Sequence, residues 1–195
     1  MVAFSPIAFI TAIAAVASTA LAAPTRTSNP LTPRQWTGPV GATHSIVVGR
    51  GGLRFDPDNV QAEIGDVIEW HFTPRNHSIV QSNFGNPCVP TAGAFFSGFV
   101  PTMSGQNGQV YQIRIVDKNP IWYYCSQTVG DHCQMGMAGV INQDYNTNEF
   151  TLARYRQKAA LLLGVQQSVS PPYPQAGLLQ GALIPNPNPL SGFKN

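Results

Sequence analysis

Charge is scarce in this chain. Eleven Lys and Arg stand against nine Asp and Glu, charged residues make up 10% of the sequence, and no basic run occurs along it. A nucleic-acid surface needs clustered positive charge, so that class of partner is excluded. Long apolar runs are equally wanting. Residues 8–17 (AFITAIAAVA) form an uninterrupted apolar run, whereas a bilayer span needs about 20 apolar residues. The run has the length of a signal-peptide core, and Ala20-Leu21-Ala22 fits a small-residue cleavage site. The preceding MVAFSP has no Lys or Arg, so its only positive charge is the amino terminus. Residues 1–22 are read as a secretory leader and the mature chain as extracellular, with the cell wall as one destination. The final NPNPLSGFKN lacks the apolar tail that a GPI signal requires, and no membrane span is expected. Histidine is sparse too: there are four, and no His-x-His pair. Cysteine numbers only three. In a secreted chain one disulfide leaves one thiol over. A buried inert cysteine, an intermolecular bridge and a metal ligand all fit that count.

What the sequence does hold is strand signal at short intervals. His44 to Val48 is β-branched and ends at the Gly49–Gly52 turn. Val60–Ile64 and Val67–Phe72 flank Gly65-Asp66, a tight turn. In VIEWHF the period of two sends Ile68, Trp70 and Phe72 to the core. His77–Gln81 is another short strand, and residues 82–105 form a long insertion that carries Cys88, Phe95 and Phe96. Phe95, Phe96 and Phe99 read equally as an exposed docking patch or as the anchor of that loop. Gln109–Val116 alternates again, with Tyr111, Ile113 and Ile115 buried. Pro120–Cys125 (PIWYYC) is aromatic, and Gly136–Asn142 closes the series. This pattern predicts an all-β fold, an antiparallel Greek-key sandwich or barrel. Asn146 with Glu149 resembles a capping box ahead of a run of helix formers, so a short C-terminal helix is expected. The predicted layout is a leader (1–22), an irregular arm (23–40), a β domain (41–145), a helix (146–166) and a Pro-rich irregular tail (167–195).

Chemistry concentrates in YCSQTVGDHCQMGM, residues 124–137, with one upstream histidine, His77. A thiolate, two imidazoles and a weak thioether are the ligand set of a blue-copper site. Soft sulfur suits Cu(I) and imidazole suits both oxidation states, so this donor set is a compromise that limits reorganisation on electron transfer. His44 and His71 lie in no such context and are read as core or solvated residues. Met135 is a rival to Met137 for the thioether position, and is read instead as filling a gap near the site.

Six residues separate Cys125 from His132 and four separate His132 from Met137. This loop resembles the C-terminal ligand loop of the cupredoxins, the plastocyanin- and phytocyanin-like proteins, and most closely that of secreted fungal cupredoxin-like proteins often called extracellular serine-rich. The resemblance covers residues 41–143. It implies one copper ion cycling between Cu(II) and Cu(I), held by His77, Cys125, His132 and Met137. It also implies a Cys88–Cys133 disulfide, since phytocyanins pair the Cys after the ligand His with one on an earlier loop. The Cys125–His132 gap is longer than is typical of phytocyanins. Asn76-His77-Ser78 is an N-glycosylation sequon, but a glycan there would hinder the site, so Asn76 is expected to be unmodified. The expected function is electron transfer with a redox partner protein or small molecule, carried out by a monomer that is not itself an enzyme. Copper sequestration and a cell-wall or surface module without redox duty are the alternatives. Multicopper oxidases need the His-x-His pairs this chain lacks, and zinc is ill served by a thioether in the fourth position.

Overall fold

The computed structural model describes residue 1 and residues 41–192. The expected leader and arm, and the last three residues of the tail, lie outside the described residues.

Among the described residues, eleven strands and one helix follow in order: β1 (Thr43–Val48), β2 (Phe55–Asp56), β3 (Asn59–Val60), β4 (Val67–Phe72), β5 (Asn76–His77), β6 (Val80–Ser82), β7 (Val100–Pro101), β8 (Gln109–Arg114), β9 (Ile121–Tyr124), β10 (Ala138–Ile141), α1 (Leu152–Ala160) and β11 (Ala182–Pro185). They build a β-sandwich. One sheet has the order β11-β8-β4-β1-β2, the other β3-β10-β9-β6, and β5 pairs with β7 apart from both. Both main sheets are mixed. The pairings β1 with β4 and β10 with β3 are parallel, and the remainder are antiparallel.

The inter-sheet core draws Ile46 and Val48 from β1, Ile68, Trp70 and Phe72 from β4, and Tyr111 and Ile113 from β8. Ile121, Tyr123, Cys125, Met137 and Ile141 meet them from the opposite sheet. Trp70 lies near the middle, edge-on to Tyr123 at 5.2 Å between centroids. The alternation in β4 places Ile68, Trp70 and Phe72 as expected, yet Val67, Glu69 and His71 are buried as well. Glu69 accepts a hydrogen bond from the Gln112 amide, and its other oxygen lies 2.8 Å from His71 Nε2. Two polar side chains partner each other there, as burial of charge requires.

β9 is an unbroken aromatic run because both of its faces are covered. Its alternate residues Trp122 and Tyr124 join a second cluster with Val80, Val140, the disulfide sulfurs and three residues of α1. Those three, Leu152, Tyr155 and Ala159, are the helix's buried stripe, at the spacing that puts side chains on one helical face. Tyr155 stacks on Trp122 at 5.3 Å with planes 7° apart. Its hydroxyl bonds Ser82 Oγ at 2.7 Å and accepts from the Cys88 N–H at 3.4 Å.

Two expectations about the C-terminal third change. The helix begins at Leu152 with Thr151 as its N-cap, Thr151 Oγ1 accepting from the Arg154 N–H at 3.3 Å. Asn146 instead turns back on Asp144, and the Leu152 N–H is taken by the Gln143 side chain at 2.7 Å. That long-range bond fixes the helix start, so the local Asn146/Glu149 pattern is not used. The Pro-rich segment is not irregular throughout. Val169 donates to the Cys88 carbonyl, Gln175 and Phe96 exchange backbone hydrogen bonds, and β11 becomes the outermost strand beside β8. A Pro ending an edge strand is the placement that a missing N–H allows.

Candidate metal centre

The β9–β10 connection is a wide hairpin that begins and ends on candidate ligands. Tyr124 of β9 faces Ala138 of β10. One residue further in, the Cys125 N–H donates to the Met137 carbonyl at 3.1 Å. The loop between them coils through short turns, and the Met137 N–H returns to the His132 carbonyl at 2.8 Å. Cys125, His132 and Met137 are thereby linked through their own backbones. His77 arrives from the separate β5–β7 ribbon, opposite Val100.

The three nitrogen and sulfur donors converge. His132 Nδ1 lies 3.3 Å and His77 Nδ1 3.9 Å from Cys125 Sγ. All three donor atoms fall within 4.8 Å of one another. The residues are closed off from water: Cys125 is 0%, His77 3% and His132 8% exposed. The imidazoles tilt at 43° with centroids 5.1 Å apart. Met137 is fully buried in the core cluster that holds Cys125, whereas Met135 is 58% exposed. Met135 fills no gap.

Burial governs the electrostatics. It pushes the Cys125 thiol up, against hydrogen bonds from the backbone of Gln127 and from Ser78 that favour the thiolate. It holds His77 down to about 4, aided by the neighbouring His132, and lowers His132 in the same way. Neutral imidazoles and a thiol that needs a cation beside it to ionise form a donor set suited to a metal ion, which binds deprotonated ligands. Gly49 completes the cradle. Its φ is +86°, and a Cβ there would stand 2.3 Å from His77 Nε2. Here the turn needs both a left-handed backbone and close approach to the ring.

No known family profile matches the chain. Among curated proteins it is 36% identical over 140 residues to "Extracellular serine-rich protein" of Arthroderma benhamiae, covering 71% of this chain and 52% of the relative. It is 33% identical over 115 residues to "Probable GPI-anchored cupredoxin-1" of the same fungus, covering 59% and 57%. Its homologues thus include proteins named as extracellular serine-rich and as a GPI-anchored cupredoxin. The chain spans about half the length of the curated relatives it matches. Solved structures that resemble it include a purple cupredoxin from Nitrosopumilus maritimus, 16% identical, with 52% of this chain and 97% of that one covered and a TM-score of 0.39. Pseudoazurin from Hyphomicrobium denitrificans is 20% identical, covering 64% and 100%, also at 0.39.

Around this centre the structure adds groups that the sequence did not single out. The Ser78 N–H donates to Cys125 Sγ at 3.4 Å. Ser78 Oγ meets Ser126 Oγ at 2.9 Å and accepts from the Ser126 N–H, and Ser170 donates to Ser126 Oγ at 2.7 Å. A residue of the Pro-rich segment therefore backs the thiol's neighbour. Cys88 and Cys133 form a disulfide, and Cys125 is the free cysteine. Asn76 Oδ1 is buried without a hydrogen-bond partner. Phe95 and Phe96 are buried loop anchors, while Phe99 is 43% exposed and touches Phe96 edge-on. His44 bonds Asp66 at 2.7 Å, and His71 lies against Glu69. His77, Cys125 and His132 are the one cluster of potential metal-ligating His, Cys, Asp or Glu among the described residues.

Proposed function

We propose that this chain binds one copper ion at His77, Cys125 and His132, with Met137 as the weak fourth ligand, and passes single electrons outside the cell. The observation that carries this reading is the buried free thiol with two imidazole Nδ1 atoms at 3.3 and 3.9 Å. Copper, when bound, supplies a one-electron couple between Cu(II) and Cu(I). The chain supplies the rest. Cys125 gives up its proton on loading, the two imidazoles approach through Nδ1, and the Ser78 N–H steadies the sulfur's charge. The backbone links among Cys125, His132 and Met137 keep the donors in place through both oxidation states, which limits reorganisation.

The partner is a one-electron donor or acceptor, protein or small molecule, and the chain works as a monomer that forms and breaks no substrate bond. Among the described residues no helix is long and apolar enough to cross a membrane. The apolar run at 8–17 and the extracellular and GPI-anchored names of the relatives support placement at or beyond the cell surface. The test is a visible spectrum of the purified protein after Cu(II) addition, with a thiol count on the apo form. An intense thiolate-to-copper band with one thiol titrated is expected. No band, with a reactive thiol present, would sink the ligand assignment. Copper that binds with that band but exchanges no electron with small one-electron reagents would favour sequestration.

A further inference from the structure

Arg156 of α1 reaches from the helix to the end of the ligand loop. Its Nε donates to the Gly136 carbonyl at 2.9 Å and its Nη2 to the Ala138 carbonyl at 2.8 Å. Its Nη1 pairs with Asp58 Oδ2 at 2.7 Å. The two carbonyls flank Met137. The backbone of Met137 is already taken up by its neighbours in the site, N–H to His132 and C=O from Cys125. The Gly136 N–H goes to the Cys133 carbonyl, and the Ala138 N–H folds back on Gly136. Gly136 itself sits at φ +96°. With the guanidinium in place, the backbone on both sides of Met137 is tied at every carbonyl.

The geometry points to Arg156 as a positioning residue for Met137, fixing the approach of the thioether from the far side of the loop. This rests on the copper reading above. Only a guanidinium does this work: three of its nitrogens engage three partners in one rigid plane, whereas a Lys ammonium is a single point on a flexible stem. The axial ligand of a His₂Cys centre tunes its potential, so a loosened Met137 alters the centre without removing a ligand. Asp58 supplies the control. It pairs only with Nη1, in a part-exposed ion pair of the kind that contributes little, and touches neither carbonyl.

Wild type, Arg156→Met, Arg156→Lys and Asp58→Asn are loaded with Cu(II) and compared by EPR and reduction potential. Amide hydrogen exchange is followed on the apo forms. Both Arg156 variants are expected to shift the copper hyperfine splitting and the potential while keeping the thiolate band. Asp58→Asn should stay close to wild type. In the apo Arg156→Lys protein, the Met137 and Ala138 amides should exchange about tenfold faster, with Ile113 in β8 unchanged. The inference is overturned if splitting and potential are unmoved in both Arg156 variants, or if Asp58→Asn shifts them equally. It is also overturned if Met137 and Ala138 speed up no more than Ile113, since Arg156 then serves only global stability. Absence of a thiolate band in wild type defeats the copper reading instead, and the exchange measurement still decides what Arg156 does to the loop.

Discussion

The two faces of β9 serve different ends. Inward, Ile121, Tyr123 and Cys125 meet the opposite sheet, and the last of them presents the thiol to two imidazoles. Outward, Trp122 and Tyr124 meet a layer assembled from the disulfide and α1. A strand's period of two allows one short segment to carry chemistry on one side and scaffold on the other. The contrast teaches that the metal loop is braced from behind. Its inner face is held by the core of the sandwich, its outer face by Val80 and Cys88 from earlier in the chain and by α1, which follows it.

The sharpest way to separate the faces is Cys125→Ala. It should abolish copper colour completely while the fold persists, because Cys88–Cys133 remains; circular dichroism together with a Cu(II) titration checks both halves. Removing the outer staple with Cys88→Ala and Cys133→Ala should act oppositely. Those cysteines lie 45 positions apart, and the chain-entropy account of such a loop gives a loss of about 4 kcal/mol, read by denaturant unfolding. Tyr155→Phe keeps the stacking on Trp122 but strips the hydroxyl from Ser82 and the Cys88 N–H. The expected cost is about 1–2 kcal/mol, with the visible spectrum unchanged.

The smallest effect belongs to a group on neither face. Asp66 accepts from the His44 ring and from the backbone N–H groups of Glu63 and Ala42, with the His44 bond the leading cause of a carboxyl held below its ordinary 3.8. A lowered carboxyl stabilises the fold in full above the unfolded value and loses that contribution as pH falls through the folded one. Asp66→Asn should cost about 1 kcal/mol near neutrality, and the gap to wild type should close below about pH 4. Urea unfolding at pH 6 and pH 3 measures it.

The legible parts of this molecule were the local ones. The residue order from Cys125 to Met137 needs no tertiary information, and neither does the alternation that sends Ile68, Trp70 and Phe72 inward. What escaped the sequence depends on distant partners. Asn146 and Glu149 look like a helix start until Gln143 claims the Leu152 N–H. Alternation left Val67, Glu69 and His71 as the other face of β4, yet that face is covered too. Nothing in the spacing of Gly49 announces an imidazole against its α-carbon, and nothing around Arg156 announces the two carbonyls it holds. The segment ALIP, short and followed by Asn and Pro, offers no periodicity of its own; its strand character comes wholly from β8.

That last strand has a consequence for synthesis. A ribosome releases the chain from its start at about 5–20 residues per second. By the time the ligand loop has emerged, β4 and β8 can already pair, but one side of β8 still offers a row of open N–H and C=O groups. Only when Pro185 is out can that row be closed. For several seconds the newborn protein carries all of its candidate ligand residues and an incomplete sheet.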